Sequence, residues 1–141
     1  MARVKCSGPI FDGTAERACN RGVDAIRAKL AEEGARLAAA TLAASIRRER
    51  TGHAVRSVTT TGKSRIYQTG KYSMPIVVDR DETVVTMDLA TYGPWLEGTG
   101  SRNLTTRFKG YGSFRRAGQV LDGMAEGIAE DTFGPYVREM Q

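Results

Sequence analysis

The sequence has few of the residues that usually carry chemistry or cross-link a fold. Its 141 residues include two cysteines and one histidine. Two thiols, Cys6 and Cys19, do not make a disulfide framework or a zinc site, so we expect both to be reduced and partly buried. No apolar run approaches the roughly 18 residues of a membrane-spanning helix. The first residues lack the apolar core of a signal peptide, which predicts synthesis and retention in a cytoplasm.

Patterns for catalysis are equally scarce. His53 has no carboxylate or thiol partner at ligand spacing, which argues against a metal site. The turn at 62–64 lacks the earlier glycine of a phosphate-binding loop, because position 57 is a serine. Glu97 is an isolated carboxylate, and an ion pair with an arginine of the following loop is favoured over a general acid. The sequence thus predicts a protein that is not an enzyme, with no catalytic residue, metal or cofactor.

Length and composition favour one domain, 1–141, that completes its core by association. The hydrophobic fraction is 40% and the aromatic fraction 7%, which is low for a self-sufficient monomer, so oligomerisation is expected to add to the core. The formal net charge of +5 favours contact with phosphate or with acidic protein surfaces without choosing between them.

The hydrophobic pattern predicts an α+β fold. A long helix is expected over 14–50, capped by Asp12 or Thr14 and weakened at Gly34. Its predicted apolar stripe is Cys19, Val23, Ile26, Leu30, Leu37, Leu42 and Ile46. Alternating residues predict a small antiparallel sheet of about four strands, over 53–61, 65–69, 76–79 and 83–89. A sheet this small needs a helix to cover it, and the long helix is the natural cover.

A second helix is predicted over 114–131, followed by a tail, 132–141, that mirrors a flexible arm over 1–13. Its apolar stripe is expected to be Phe114, Ala117, Leu121, Met124 and Ile128. Three glycines weaken it, so it must be held by packing or must let another backbone approach. Its far face is acidic, with Asp122, Glu126, Glu130 and Asp131.

A long basic loop, 98–113, precedes this helix, and no acidic residue occurs from Gly98 to Leu121. The cations expected to face a partner ring or DNA are Arg102, Arg107, Lys109, Arg115 and Arg116. A loop of this length and charge is expected to contact a neighbouring subunit or a polyanion. A basic loop beside an acidic helix suits head-to-tail contact around a ring.

Between Tyr92 and Leu121, an aromatic-rich turn, Tyr92–Glu97, is followed by Gly98-Thr99, a loop, and a Phe-x-Arg sequence at 114–116 that opens the last helix. This order of residues resembles that of the neck proteins of siphophages, of the tail-completion type found in actinobacteriophages. The plan of a long first helix, a small sheet and a final helix is also similar to that family. The chain departs from shorter members in its longer basic loop, 101–112.

This resemblance implies a structural virion protein of a long-tailed bacteriophage. The expected assembly is a homo-oligomeric ring of six or twelve copies at the head–tail joint, acting in tail completion or as a tail terminator, with DNA in its lumen. Implied partners are connector or stopper proteins, tail-tube proteins and genomic DNA, without a membrane. The virion would be its location after assembly in the host cytoplasm. Residues expected at the ring interface are Tyr92, Trp95, Leu96, Glu97, Phe108, Tyr111 and Phe114.

Two alternatives stay open. The aromatic turn suits a hydrophobic plug at one end of the sheet as well as a surface hot spot. The chain also fits a basic nucleic-acid-binding accessory protein, in which the five cations contact phosphates and Phe108 or Tyr111 stacks on bases.

Overall fold

Two long helices dominate the computed structural model, which describes residues 8–46, 58–61, 73–78, 81–87 and 93–141. Helix α1 covers Thr14–Ser45, α2 Gly93–Glu97, α3 Arg102–Thr105 and α4 Ser113–Glu139. Three short strands are β1 (Val58–Thr61), β2 (Ser73–Val78) and β3 (Asp81–Met87). The expected α+β fold with a sheet of about four strands is therefore wrong, because the described part of the chain is mostly helical.

Helix α1 begins where the sequence predicts and ends earlier. The Asp12 Oδ1 atom accepts a hydrogen bond of 2.9 Å from the backbone N–H of Thr14, so Asp12 satisfies a free donor of the first turn. The helix continues through Gly34 without a break, so the predicted weak point there is wrong. It ends at Ser45, and residues 47–50 lie outside the described ranges.

The buried side of α1 consists largely of small residues. Its buried positions are Ala18, Gly22, Leu30, Ala31, Gly34, Ala38 and Leu42. Small side chains allow a neighbouring helix to approach closely, which explains why glycines that weaken an isolated helix are tolerated here. Cys19 is exposed, so its predicted place on the buried stripe is wrong, and Cys6 lies outside the described residues.

Helix α4 runs antiparallel to α1 along most of its length. Near the start of α4, Arg116 Nη2 donates a hydrogen bond of 2.8 Å to Ser45 Oγ at the end of α1. At the opposite end the Phe133 ring lies against Gly22, and Arg21 pairs with Glu139. The segment 132–139, predicted as part of a tail, therefore belongs to the helix.

The three strands form one antiparallel sheet with the order β1-β3-β2. Val58 is opposite Met87 in the first pair, and Val78 is opposite Asp81 in the second. Val85 of β3 is fully buried in a cluster with residues of α1 and α4. The predicted strand at 65–69 lies outside the described residues. No helix among the described segments combines the length and the apolar character that crossing a membrane requires.

Candidate interaction site

The loop that joins α2 to α4 is built around one buried carboxylate. Glu97 Oε2 accepts a hydrogen bond of 3.0 Å from the Phe114 backbone N–H, and Oε1 accepts one of 3.2 Å from that of Arg115. The first N–H groups of a helix have no partner inside it, and a negative charge is stabilised at that end. Glu97, 7% exposed, therefore caps α4 from a position 17 residues earlier in the chain.

This arrangement replaces the predicted role of Glu97. The expected ion pair with a loop arginine is wrong, because no salt bridge to Glu97 occurs among the described residues and both of its oxygens bind backbone N–H groups. A carboxylate engaged in this way holds the helix start in place. Because both oxygens already accept hydrogen bonds from the backbone, this geometry does not favour a role for Glu97 as a general acid.

Two glycines let the ends of the loop cross at close range. The Tyr111 N–H donates to the Leu96 carbonyl at 2.6 Å, beside the crossing. A Cβ atom on Gly98 would lie 2.2 Å from the Lys109 carbonyl oxygen, and one on Gly110 would lie 2.3 Å from the Gly98 nitrogen. Both glycines have positive φ angles, 99° and 93°, which side chains disfavour. The crossing therefore requires glycine at both positions, Gly98 and Gly110. It brings Glu97 close to the start of α4.

Asn103 fastens the middle of the loop. Its Oδ1 accepts the Gly100 N–H at 3.0 Å, and its Nδ2 donates to the carbonyls of Trp95 (2.9 Å) and Phe108 (3.2 Å). Asn103 is 4% exposed, and an amide buried this deeply is retained when its donors and acceptors are paired. The sequence gives no sign of this role, because the partners of Asn103 are backbone groups that no local pattern places nearby.

The aromatic side chains of the loop pack on one another. The ring centroids of Trp95 and Phe108 lie 4.7 Å apart, and those of Phe108 and Tyr111 lie 4.9 Å apart with an interplanar angle of 69°. All three rings are half-buried. Trp95 Nε1 is buried, and no described residue accepts a hydrogen bond from it. The two rings expected to stack on bases are therefore already part of the loop's own packing.

The remaining residues of the predicted interface lie elsewhere. Leu96, Glu97 and Phe114 are buried inside the chain, so the structure places them in the interior and not on a surface open to a neighbouring subunit. Tyr92 lies outside the described residues. For the aromatic turn, the buried Leu96 matches the plug interpretation more closely than the hot-spot one.

The predicted cations all lie at the surface. Exposed side chains are Arg102, Arg107, Lys109, Arg115 and Arg116. Within the described ranges none of the five forms a salt bridge. Lys109 Nζ donates to the Asn103 carbonyl at 2.8 Å, so this ammonium group helps to hold the loop. Leu104, 83% exposed, lies in α3 between Arg102 and Arg107. We call Arg102, Leu104 and Arg107 the basic apex.

Helix α4 presents an outer face of a different kind. Its predicted stripe is correct at Phe114, Ala117 and Leu121, which are buried, and wrong at Met124, which is 41% exposed. Val120 is 50% exposed. A Cβ atom added at Gly123, Gly127 or Gly134 would meet nothing within 4 Å. The exposed acidic side chains of the helix are Asp122, Glu126, Glu130 and Asp131.

The described part of the chain is thus mostly helical, with a capped, internally bonded loop that exposes cations and is followed by a helix with an acidic outer face. Comparison of the chain with protein-family models, with curated proteins and with solved structures finds no match. Across the described segments, no group of three or more His, Cys, Asp and Glu side chains is placed to hold a metal ion.

Proposed function

We propose that this chain is a structural virion protein that forms a homo-oligomeric ring at the head–tail joint of a long-tailed phage. Tail completion and tail termination are the two forms of this role. The observation that carries the proposal is the Glu97 cap. It makes the aromatic turn, the Gly-Thr pair and the Phe-x-Arg helix start one bonded unit, and these are the residues whose order resembles the neck family.

The distribution of charge supports an assembling subunit. Exposed cations that form no salt bridge with a described residue lie on the loop, while exposed carboxylates lie along the helix that follows it. Complementary surfaces on one chain suit repeated contact between copies. In a ring of six or twelve copies, connector or stopper proteins and tail-tube proteins would be the neighbours. Weak, non-specific attraction between cations and phosphate would leave DNA in the lumen free to move.

The test measures the mass of the purified chain by light scattering, with and without isolated phage tails. We expect a discrete ring, or a monomer that becomes a ring on tail tips. A matched pair of variants sharpens the experiment. Arg102→Ala with Arg107→Ala should stall head–tail joining, whereas Lys29→Ala with Arg36→Ala removes the same charge from exposed positions of α1 and should not. A monomer indifferent to tails would contradict the proposal.

The second candidate function is nucleic-acid binding, and the observation that favours it is the group of exposed cations that form no salt bridge with any carboxylate in the described ranges. Such a protein should retain short duplex DNA as a monomer or dimer, with an affinity that falls steeply as salt rises. The same two pairs of variants discriminate. Loss of DNA retention on changing Arg102 and Arg107, with retention intact in the α1 control, would favour this function over the ring.

A further inference from the structure

We propose that the outer face of α4 is the docking surface for the basic apex of a second copy of this chain. The inference rests on the proposed function only for the existence of a ring, and it names the two surfaces that meet in it. The outer face consists of Val120, Gly123, Met124, Glu126, Gly127 and Glu130. The partner surface is Arg102, Leu104 and Arg107.

The two surfaces carry opposite charges. No lysine or arginine occurs between Ala117 and Val137, a span that holds four acidic residues. Glu126 and Glu130 lie one turn apart on the exposed face, and neither forms a salt bridge with a described residue. Like charges at this spacing repel each other, so a single copy gains nothing from them. Arg102 and Arg107 of another copy supply two cations for two carboxylates.

The two surfaces also expose apolar side chains and have shapes that suit each other. Leu104, which lies between the two arginines in the sequence, is 83% exposed. On α4, Val120 and Met124 are also exposed, next to two glycines over which there is open space. Glycine on an exposed helix face lowers helix stability unless something approaches the backbone. A leucine side chain seated over Gly123 and Gly127, between valine and methionine, gives these glycines a contact.

The arrangement of the two surfaces on one copy suits a head-to-tail contact. Both belong to the same copy, so one contact between two copies leaves a free apex at one end and a free outer face at the other. Repetition of such a head-to-tail contact closes into a ring when the rotation permits it. This arrangement requires a single copy whose two surfaces are exposed and whose charged groups there form no salt bridge within the described segments.

Charge exchange provides the test. The apex variant carries Arg102→Glu and Arg107→Glu, and the face variant carries Glu126→Lys and Glu130→Lys. Each alone should remain monomeric in sedimentation velocity at concentrations where the wild type assembles, with association weakened at least tenfold. An equimolar mixture should assemble again, because each apex now matches the face of the other variant. A chain with all four changes should assemble by itself.

Controls separate assembly from folding. Glu16→Lys with Glu32→Lys makes the same charge change on exposed positions of α1 and should assemble like the wild type. Circular dichroism of each variant should match that of the wild type, since every altered side chain is exposed. As a second probe, Gly127→Leu should raise the melting temperature of the monomer and weaken assembly.

Three results would overturn the inference: reversed variants that assemble normally, a mixture that stays monomeric, or a wild type that is monomeric at every concentration and on tails. The outcomes also separate this inference from the proposed function. Rings on tail tips that are insensitive to the reversals would leave the phage role standing and remove this interface. Exchange behaviour as expected, with no affinity for tails, would leave the interface standing and remove the phage role.

Discussion

Helix α4 has glycines on its outer face, and its inner side packs against a glycine of α1. An added side chain would clash with its neighbours at the inner position, whereas at the outer positions it would meet no described atom. On the inner side, the Phe133 ring occupies the space where Gly22 of α1 has no side chain. On the outer face, Gly123 and Gly127 have open space above them. Glycine therefore allows close packing at Gly22, whereas at Gly123 and Gly127 no described residue uses the space that it leaves. Whether a glycine belongs to a packed contact depends on what lies across from it.

The tightest packing around a glycine occurs where the two ends of the loop cross, so Gly98→Ala should have the largest effect. The added Cβ would lie 2.2 Å from a backbone oxygen, at a φ of 99°. Backbone strain and overpacking together predict a loss of about 3 kcal/mol or more in the free energy of unfolding, measured by urea denaturation. Gly100→Ala, whose nearest contacts are at 3.2 Å, is the matched control and should cost less. Equal losses in both variants would show that the crossing is not tight.

Glu97→Ala should rank next. It removes two hydrogen bonds and leaves the N–H groups of Phe114 and Arg115 without the acceptor that Glu97 provides. The expected loss is about 2 to 3 kcal/mol in the free energy of unfolding. Hydrogen exchange should accelerate first at these two amides, which a non-specific loss of stability would not single out. Unchanged exchange at both amides would rule out the cap.

Gly22→Ala tests the inner contact of α4. The new methyl group would lie 2.3 Å from Phe133 Cε2, so the ring must move, at a cost of about 1 to 3 kcal/mol. Because the contacts below 3 Å are all with Phe133, while Tyr136 Cδ2 lies at 3.3 Å, Gly22→Ala should cost less in a Phe133→Leu background than in the wild type. Additive losses in this double-mutant cycle, measured by thermal unfolding, would place the strain elsewhere.

Gly127→Ala is the same substitution on the outer face, and its sign should be reversed. With nothing within 4 Å of the added methyl group, the gain in helix propensity should stabilise the isolated chain by about 1 kcal/mol. A melting temperature measured on the monomer gives the comparison with Gly22→Ala directly. Destabilisation by Gly127→Ala would mean that the outer face is already occupied within the chain.

Local signals located the starts of both long helices, and packing decided the rest. The residues around Asp12 mark a helix start by their own chemistry, so the start of α1 is readable. Gly134 and Pro135 are local breakers, yet α4 continues through them because Phe133 and Tyr136 pack against α1. Gly34 does not break α1, since its missing side chain makes it a buried packing position.

The site divides in the same way. Its cations could be chosen from the sequence, because charge is a property of single residues. The partner of Glu97 could not, because the N–H groups of α4 reach it only through the crossing of Gly98 and Gly110. The role of Asn103 could not be predicted for a related reason, because its three backbone partners are brought together only by the fold.

Asp12→Asn should give the smallest effect, and it tests a contact at an exposed end of the same helix pair. Hydrogen bonding by the Thr14 side chain and backbone N–H holds the pKa of Asp12 below its usual value of 3.8. Because the folded state has the lower pKa, the stabilisation is present at neutral pH and is lost as pH falls through the folded pKa. The melting temperature of the wild type should thus slightly exceed that of the variant at pH 7, and the difference should vanish in acid below the folded pKa. A difference that persists there would assign the effect to something other than the charge of Asp12.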